Sequence, residues 1–474
     1  MIMNTSIDQT GKQYNRFWFI FTLLAGTFTM SISQSSLSTA YPTLMRYFNL
    51  PASTVQWLTT GFMLIMCVTM PISPWLLNNV RFKPLFLSIL AIFDVGTLII
   101  VLAPSFWLMM VGRMMEAVAV GVLFPSFQTV LLSITPKEQR ASTMGTAGLV
   151  MGSALACGPI VSGIVLNYFT WRGLFIFFMV VITLVFVFGI SGLIRNVMPI
   201  HKSSLDFWSV FLSIGLIGVL YVVNQIGQAN VNWGINATIL IVSILALTWF
   251  VVRQFKVKTP LLQLRVLKTV NFDLAVLLTG VSYIALIVTT IIFPLYYQEV
   301  LHVSPFISGM ALVPAAVFLS ILNPLTGKLA DKLGFRFVML TGMSMIVVGW
   351  LTISLLVGHL NLVVMMVCAM IIEGGNAFVM MPAVTMGANS LPTNLVADGT
   401  AVTTTVRQIL GSTGVAVATL ILGIVTTQQI NGGATASQAQ LGGYRAVFLT
   451  FFGISIIGLI MALCLKNTAT ESTK

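Results

Sequence analysis

Long apolar runs recur from one end of this chain to the other, separated by short polar or basic turns. Each run is close to the ~20 residues a helix needs to cross the hydrocarbon of a bilayer. The runs are continuous rather than alternating, so they read as helices and not as the strands of a barrel. The pattern predicts an all-α, polytopic membrane protein with fourteen spans: 17–44, 55–77, 84–103, 106–134, 140–168, 171–196, 206–226, 235–254, 270–298, 305–330, 337–357, 361–389, 396–427 and 443–466. The first run is too long for a signal-peptide core and lacks a small-residue cleavage site, which predicts a retained helix.

Composition agrees. The 474 residues are 57% hydrophobic and 7% charged, with a mean hydropathy of +1.00, more apolar surface than a soluble fold can hide. The net charge of +12 would point to nucleic acid on a soluble protein. Here alternate loops sort it. One set of loops and tails holds Lys12, Arg16, Arg81, Lys83, Lys137, Arg140, Arg195, Lys202, Arg253, Lys256, Lys258, Arg265, Lys268, Lys328, Lys332, Arg336, Lys466 and Lys474; the other holds Arg46, Arg172 and Arg445. Lys and Arg accumulate in cytoplasmic loops, so both termini are expected in the cytoplasm and no nucleic-acid partner is expected. Cys67, Cys157, Cys368 and Cys464 lie singly in apolar runs and read as packing residues. His201, His302 and His359 are isolated near loops, so no metal site is expected. No G-x-x-x-x-G-K-[ST] loop occurs, and no cofactor is expected.

The chain repeats itself. "PISPWLLNNVRFKPLFL" (71–87) aligns with "PLTGKLADKLGFRFVML" (324–340), pairing Pro71 with Pro324, Leu76 with Leu329, Asn78 with Asp331 and Lys83 with Arg336. The copies follow helices 2 and 10. An even offset keeps both on one side of the membrane, so the repeat is parallel. Two six-helix halves with two helices inserted between them account for the spacing. The expected layout is a tail 1–16, a bundle 17–196, inserted helices with linkers 197–268, a second bundle 269–466 and a tail 467–474.

With this layout the sequence resembles the major facilitator superfamily, in its fourteen-helix drug:proton antiporter branch. "GKLADKLGFR" (327–336) resembles the superfamily's loop motif, which the resemblance makes a cytoplasmic gate built from Gly327, Asp331, Gly334 and Arg336, with Asn78 and Lys83 in the other copy. In that first copy Pro74 and Arg81 replace the glycines and Asn78 the aspartate. "GRMMEAVAVG" (112–121) resembles the helix-4 motif with Glu116 at a Gln position, and "ACGPIVSG" (156–163) resembles the helix-5 antiporter motif through Gly158, Pro159 and Gly163. "WRGLF" (171–175), "FPLYYQEVLHVSPFISGMALVP" (293–314) and "VRQILGSTGVAV" (406–417) are similar to the same branch. Where the branch carries an Asp in helix 1, "ISQSSLSTAYP" (32–42) has Ser33, followed by Gln34, both expected to line the cavity.

Ionisable residues inside spans are expensive, so each needs a reason. They are Asp94, Arg113, Glu116, Glu373 and Arg407. Asp94 and Arg113 fall at similar depth on antiparallel neighbours, so a structural ion pair is one reading and proton handling the other. "MMVGRMMEAVAVGVLFP" (109–125) aligns with "MMVCAMIIEGGNAFVMMP" (365–382), matching Glu116 to Glu373 and Pro125 to Pro382 after a one-residue slip. The resemblance places helices 4 and 12 along the central cavity, which would give each half one mid-membrane glutamate. A carboxyl out of bulk water holds a proton or attracts a cation, but not both, and that exclusion is the physics of proton:cation antiport. Glu116 has an alternative, a local pair with Arg113 at i, i+3. Glu373 has no base within four positions, although Arg407 on helix 13 is a possible partner. Asp206 and Asp398 begin helices 7 and 13, where a carboxylate caps a helix.

These features predict a secondary active exporter of amphipathic, cationic drugs or dyes, driven by protons and acting as a monomer in a bacterial cytoplasmic membrane. The alternative is an exporter of one metabolite, lipid or antibiotic. An intramembrane enzyme is a remote third reading, since neither H-E-x-x-H nor G-x-G-D occurs.

Overall fold

The structure, a computed structural model, describes residues 5–9, 11–202, 204–225, 232–257 and 260–465. Lys258, Lys466, Lys474 and the expected tail 467–474 lie outside the described residues. Among the described residues the fold is carried by α1 (Arg16–Phe48), α2 (Trp57–Asn79), α3 (Phe82–Leu102), α4 (Phe106–Ile134), α5 (Arg140–Tyr168), α6 (Trp171–Phe188), α7 (Phe207–Val223), α8 (Trp233–Lys256), α9 (Val270–Glu299), α10 (Val313–Leu333), α11 (Phe335–Leu356), α12 (Leu362–Asn389), α13 (Val396–Asn431) and α14 (Ala436–Leu463). Among the described residues thirteen are long and apolar enough to cross a membrane. The exception to the expected fourteen is α7, which is apolar but shorter and breaks at Ile214 between two helical pieces.

The helix starts are written in the sequence. Asn15, Ser105, Asn232 and Asn361 accept hydrogen bonds from first-turn amides of α1, α4, α8 and α12, and Thr435 with Gln438 forms a capping box on α14. The expected N-terminal tail is not wholly irregular. Thr5–Ile7 and Gln13–Asn15 pair as an antiparallel hairpin, β1–β2, turned by Gly11 at φ 78° and by Asp8 Oδ1 accepting from the Lys12 amide at 2.9 Å.

The two halves repeat in their packing as well as in sequence. α3 crosses α4 at Gly96 and Gly112, where a Cβ on Gly96 would stand 2.7 Å from the Gly112 carbonyl oxygen. α11 and α12 also cross through paired glycines, Gly342 and Gly375, with 2.6 Å from a Cβ on Gly342 to the Gly375 carbonyl oxygen, two turns from the positions that align with Gly96 and Gly112. Lys83 Nζ donates to the Ile190 carbonyl near the end of α6 at 3.1 Å, and Arg336 Nη2 to the Leu463 carbonyl at the end of α14 at 3.1 Å. Each base thus sits at the C-terminal, negative end of the last helix of its half. The inserted pair α7–α8 packs through Gly215 and Gly218 against Ser243. α7 leans on α2, where Trp57 stacks on Tyr221 with ring centroids 5.7 Å apart, and also packs against α13.

The halves clamp together at one end, the end that carries Lys83, Arg140 and Arg336. Every residue from Ala119 to Leu132, from Val379 to Ala388 and from Val396 to Thr405 is buried, so α4, α12 and α13 are enclosed on all faces there. The opposite halves of the same helices expose much of their surface, including Trp107 and Ile430.

Candidate functional site

The clamp is built first by small residues. Gly145, Gly148 and Gly152 of α5 lie at i, i+3 and i+7 and press on α10, where a Cβ on Gly152 would stand 2.7 Å from Ser320 Oγ and one on Gly148 2.6 Å from Asn323 Oδ1. The helix-5 motif lies further along, away from this seam. Gly158 packs on Ser35 of α1, within its own half, while Gly163 meets nothing within 4 Å; Pro159 is the kink residue between them. Ser35 Oγ donates to the Ala154 carbonyl at 2.9 Å, fixing this turn of α5 to α1.

Polar latches close the same end. Asp331 accepts from the backbone amides of Ala141 (3.2 Å) and Ser142 (2.8 Å), in the first turn of α5. Gln139, at the N-cap position, makes no side-chain capping bond, so a carboxylate from the other half serves the amides that the helix start leaves free. Gly327 is needed because a Cβ there would collide with the Ala141 carbonyl, and Gly334 because its φ is +86°. Arg140 Nη1 donates to Asn389 Oδ1 at 2.8 Å, and Thr129 and Thr400 hydroxyls meet at 2.5 Å. The first copy of the motif has no such latch among the described residues. Asn78 contributes its carbonyl to the His201 amide, at 2.8 Å. Arg81, at the position of Gly334, adopts φ −56° and needs no glycine. Arg336 turns to α14 rather than pairing across its loop.

The buried charges fall into two arrangements. In the first half Arg113 Nη1 and Glu116 Oε2 are 2.5 Å apart, with Glu116 fully buried and Arg113 1% exposed. Thr97 Oγ1 of α3 donates to Glu116 Oε1 at 2.7 Å, Arg113 Nη1 reaches Ser33 Oγ at 3.3 Å, and the guanidinium lies 4.2 Å from the centroid of the Phe62 ring. Glu116 is therefore closed on its own helix and on α3. Asp94 does not pair with Arg113. It is half-buried on α3, where Thr183 Oγ1 of α6 donates to Oδ2 at 2.9 Å. Gln34 is half-buried beside Ser33.

In the second half the charges are not paired. Glu373 is 5% exposed, and its carboxylate accepts from Asn376 Nδ2 at 3.1 Å; Asn376 Oδ1 accepts in turn from Ser282 Oγ of α9 at 2.7 Å. Arg407 of α13 is 3% exposed and lies over the Tyr283 ring, 5.1 Å from its centroid, with Nε and Nη1 unbonded. Among the described residues the ion pairs are Arg113–Glu116 and Arg253–Asp206, so neither Glu373 nor Arg407 has an ionic partner.

The one-residue slip in the alignment has a geometric meaning. Without it, Glu116 matches Ile372 and Gly112 matches Cys368. In the structure Ile372 packs on Gly349 of α11 beside the Cys368 carbonyl, as the Glu116 backbone packs on Gly96 of α3 beside the Gly112 carbonyl, so Ile372 takes the position of Glu116. Glu373 lies one residue on, rotated by ~100° about the helix axis toward α9. The two glutamates thus occupy different faces, and no contact joins them. Asp206 lies beside Arg253 Nε at 2.8 Å and accepts from Ser209 Oγ at 2.7 Å. Asp398 Oδ1 accepts from the Gln263 amide at 2.8 Å. The sequence reading missed Thr97, Asn376, Tyr283 and the Thr129–Thr400 contact; the one available signal was a polar residue in an apolar run, as Asn376 is, three positions after Glu373. An open, apolar groove of about 530 Å³ along α11, between Phe337 and Val348, is lined by no charged residue.

Comparison with known proteins adds four findings. A family model described as Major Facilitator Superfamily matches residues 23–415. The MFS-type transporter YcnB of Bacillus subtilis (strain 168) is 36% identical over 471 residues, covering 98% of each chain. The lincomycin resistance protein LmrB of the same strain is 32% identical over 483 residues, covering 99% of this chain and 100% of its own. Among solved structures, the human organic anion transporter MFSD10 matches with a TM-score of 0.65 at 12% identity, over 94% of this chain and 99% of its own, a likeness of fold.

Proposed function

The chain belongs to the major facilitator superfamily, as a membrane transporter and not an enzyme, and from that premise we propose that it is a proton-coupled exporter of amphipathic, cationic, drug-like molecules. Similarity along its whole length to a protein named for lincomycin resistance supports the choice of cargo. The observation that carries the coupling is Glu373, a carboxyl enclosed in the bundle with a neutral neighbour, Asn376, and no base. Such a group is stable when protonated or when a cation lies against it, and each state excludes the other. Glu116 already holds Arg113 and Thr97, so its part is to keep a buried cation paired.

The clamped end carries the basic loops and is read as cytoplasmic, with both termini and fourteen spans in a bacterial cytoplasmic membrane. The described conformation then faces outward. A proton reaches Glu373 from outside and displaces cargo. The clamp of α5 on α10 opens, and the deprotonated acid receives a cation from the cytoplasm as the proton leaves. The protein acts as a monomer. Accumulation of ethidium by inside-out vesicles tests this: a proton gradient should drive it for wild type, and Glu373→Gln should lose the gradient-dependent part. Transport of a single chemical type from a dye panel favours an exporter dedicated to one compound.

A further inference from the structure

Arg407 stands out because nothing in the coupling scheme uses it. It lies about a third of the way along α13, is 3% exposed, and two of its nitrogens have no acceptor. Its neighbour Tyr283 presents its ring to the guanidinium, and the Tyr283 hydroxyl donates to Gln408 Oε1 at 3.1 Å. A guanidinium kept in this state is poised for an acceptor that arrives with a ligand.

Its position fits that role. Tyr283 packs against a cluster built from residues of both halves, and Ile409, two residues after Arg407, packs with Leu64 and Cys67 of α2, so this turn of α13 lies against the first half. Ser282, the residue before Tyr283, anchors Asn376 and through it Glu373. The unpaired acid and the unpaired base therefore flank one turn of α9. The first half offers no such arrangement, because its acid and base neutralise each other. We propose that Arg407 is a cargo-recognition residue that binds an anionic or strongly electronegative oxygen, and that the favoured cargo carries such an oxygen together with the cationic group held by Glu373.

This rests on the exporter reading for the cationic half, and the test separates the two. Rhodamine 110 and rhodamine 123 share one cationic ring system and differ in a free carboxylate against its methyl ester. Binding of each to the full-length protein in detergent is measured by fluorescence anisotropy, with ethidium as a cation lacking the acceptor. Wild type should bind rhodamine 110 at least about tenfold more tightly than rhodamine 123. Arg407→Gln should bring that ratio close to one, leaving ethidium affinity within about twofold. Arg407→Lys, which keeps the charge and loses the planar fork, should give an intermediate ratio and decides the matter if the Gln variant fails to fold. A structural role for Arg407 would weaken all three dyes equally. No preference for rhodamine 110 in wild type, including failure to bind either rhodamine, overturns the proposal, as does a preference unchanged by substitution. Loss of ethidium binding in wild type strikes at the exporter reading instead.

Discussion

Replacing Asp331 with Ala should open the clamped end. The carboxylate accepts two amide hydrogen bonds from the first turn of α5, at 3.2 and 2.8 Å, and no residue of α5's own N-cap substitutes for it. Losing a capping acceptor costs about 1 kcal/mol, and losing the second bond and the charge at a helix N-terminus costs about 1 kcal/mol more. A loss of about 2 kcal/mol shifts the closed-to-open ratio by about 30-fold. Asp331→Asn keeps one acceptor and loses the charge, so about fivefold is expected. Spin labels at the exposed positions Glu138 and Thr393, one in each half, report the separation of the halves at this end. The labelled background replaces Cys67, Cys157, Cys368 and Cys464 with Ser. Pulsed dipolar spectroscopy should show a new long-distance population in the Ala variant and a smaller one in the Asn variant. Distance distributions identical to wild type in both would refute the latch.

Glu116→Gln strands the Arg113 guanidinium and should destabilise the protein by about 3 kcal/mol, lowering its melting temperature in detergent. Ser33→Asp restores a carboxylate beside Arg113 and should recover most of that loss, and no recovery argues against a shared charge site. Gly145→Leu places a side chain against the Asn323–Pro324 backbone and should abolish ethidium transport without preventing folding, whereas Gly163→Leu should be silent. Asp206 is held below the usual carboxylate range, chiefly by the hydrogen bond from Arg253. A depressed folded pKa gives stability present above the unfolded value and lost as pH falls through the folded one. Asp206→Asn should therefore lower the melting temperature at pH 7, with a difference from wild type that shrinks below about pH 4. A difference that persists unchanged at low pH rules this out.

Much of the fold was legible because a membrane permits few solutions. Apolar length gave most helix ends to within four residues, but missed the end of α6 and the starts of α10 and α14 by seven or eight. α7 departed from the pattern because its helix breaks at Ile214 although the apolar run continues through it. Side-chain partners were less legible. Asp94 and Glu116 both stand near the depth of Arg113, and depth alone does not say which of them faces it. A slip of one residue is trivial in an alignment but turns a side chain ~100° about its helix, which separates Glu373 from Glu116. The α5 seam is legible as Gly145, Gly148 and Gly152 at helical spacing, whereas the later motif at Gly158 packs within its own half. That Ser33 touches Arg113 depends on how α1 rotates against α4, which no local pattern encodes.

Proton release on cargo binding tests the coupling most directly. Ethidium is added to wild type, Glu116→Gln and Glu373→Gln in weakly buffered detergent solution, and the change in free proton concentration is followed with a pH dye. If H⁺ and cargo compete at Glu373, wild type and Glu116→Gln release protons as ethidium binds and Glu373→Gln releases none. Undiminished release from Glu373→Gln would place the exchange elsewhere and contradict the account.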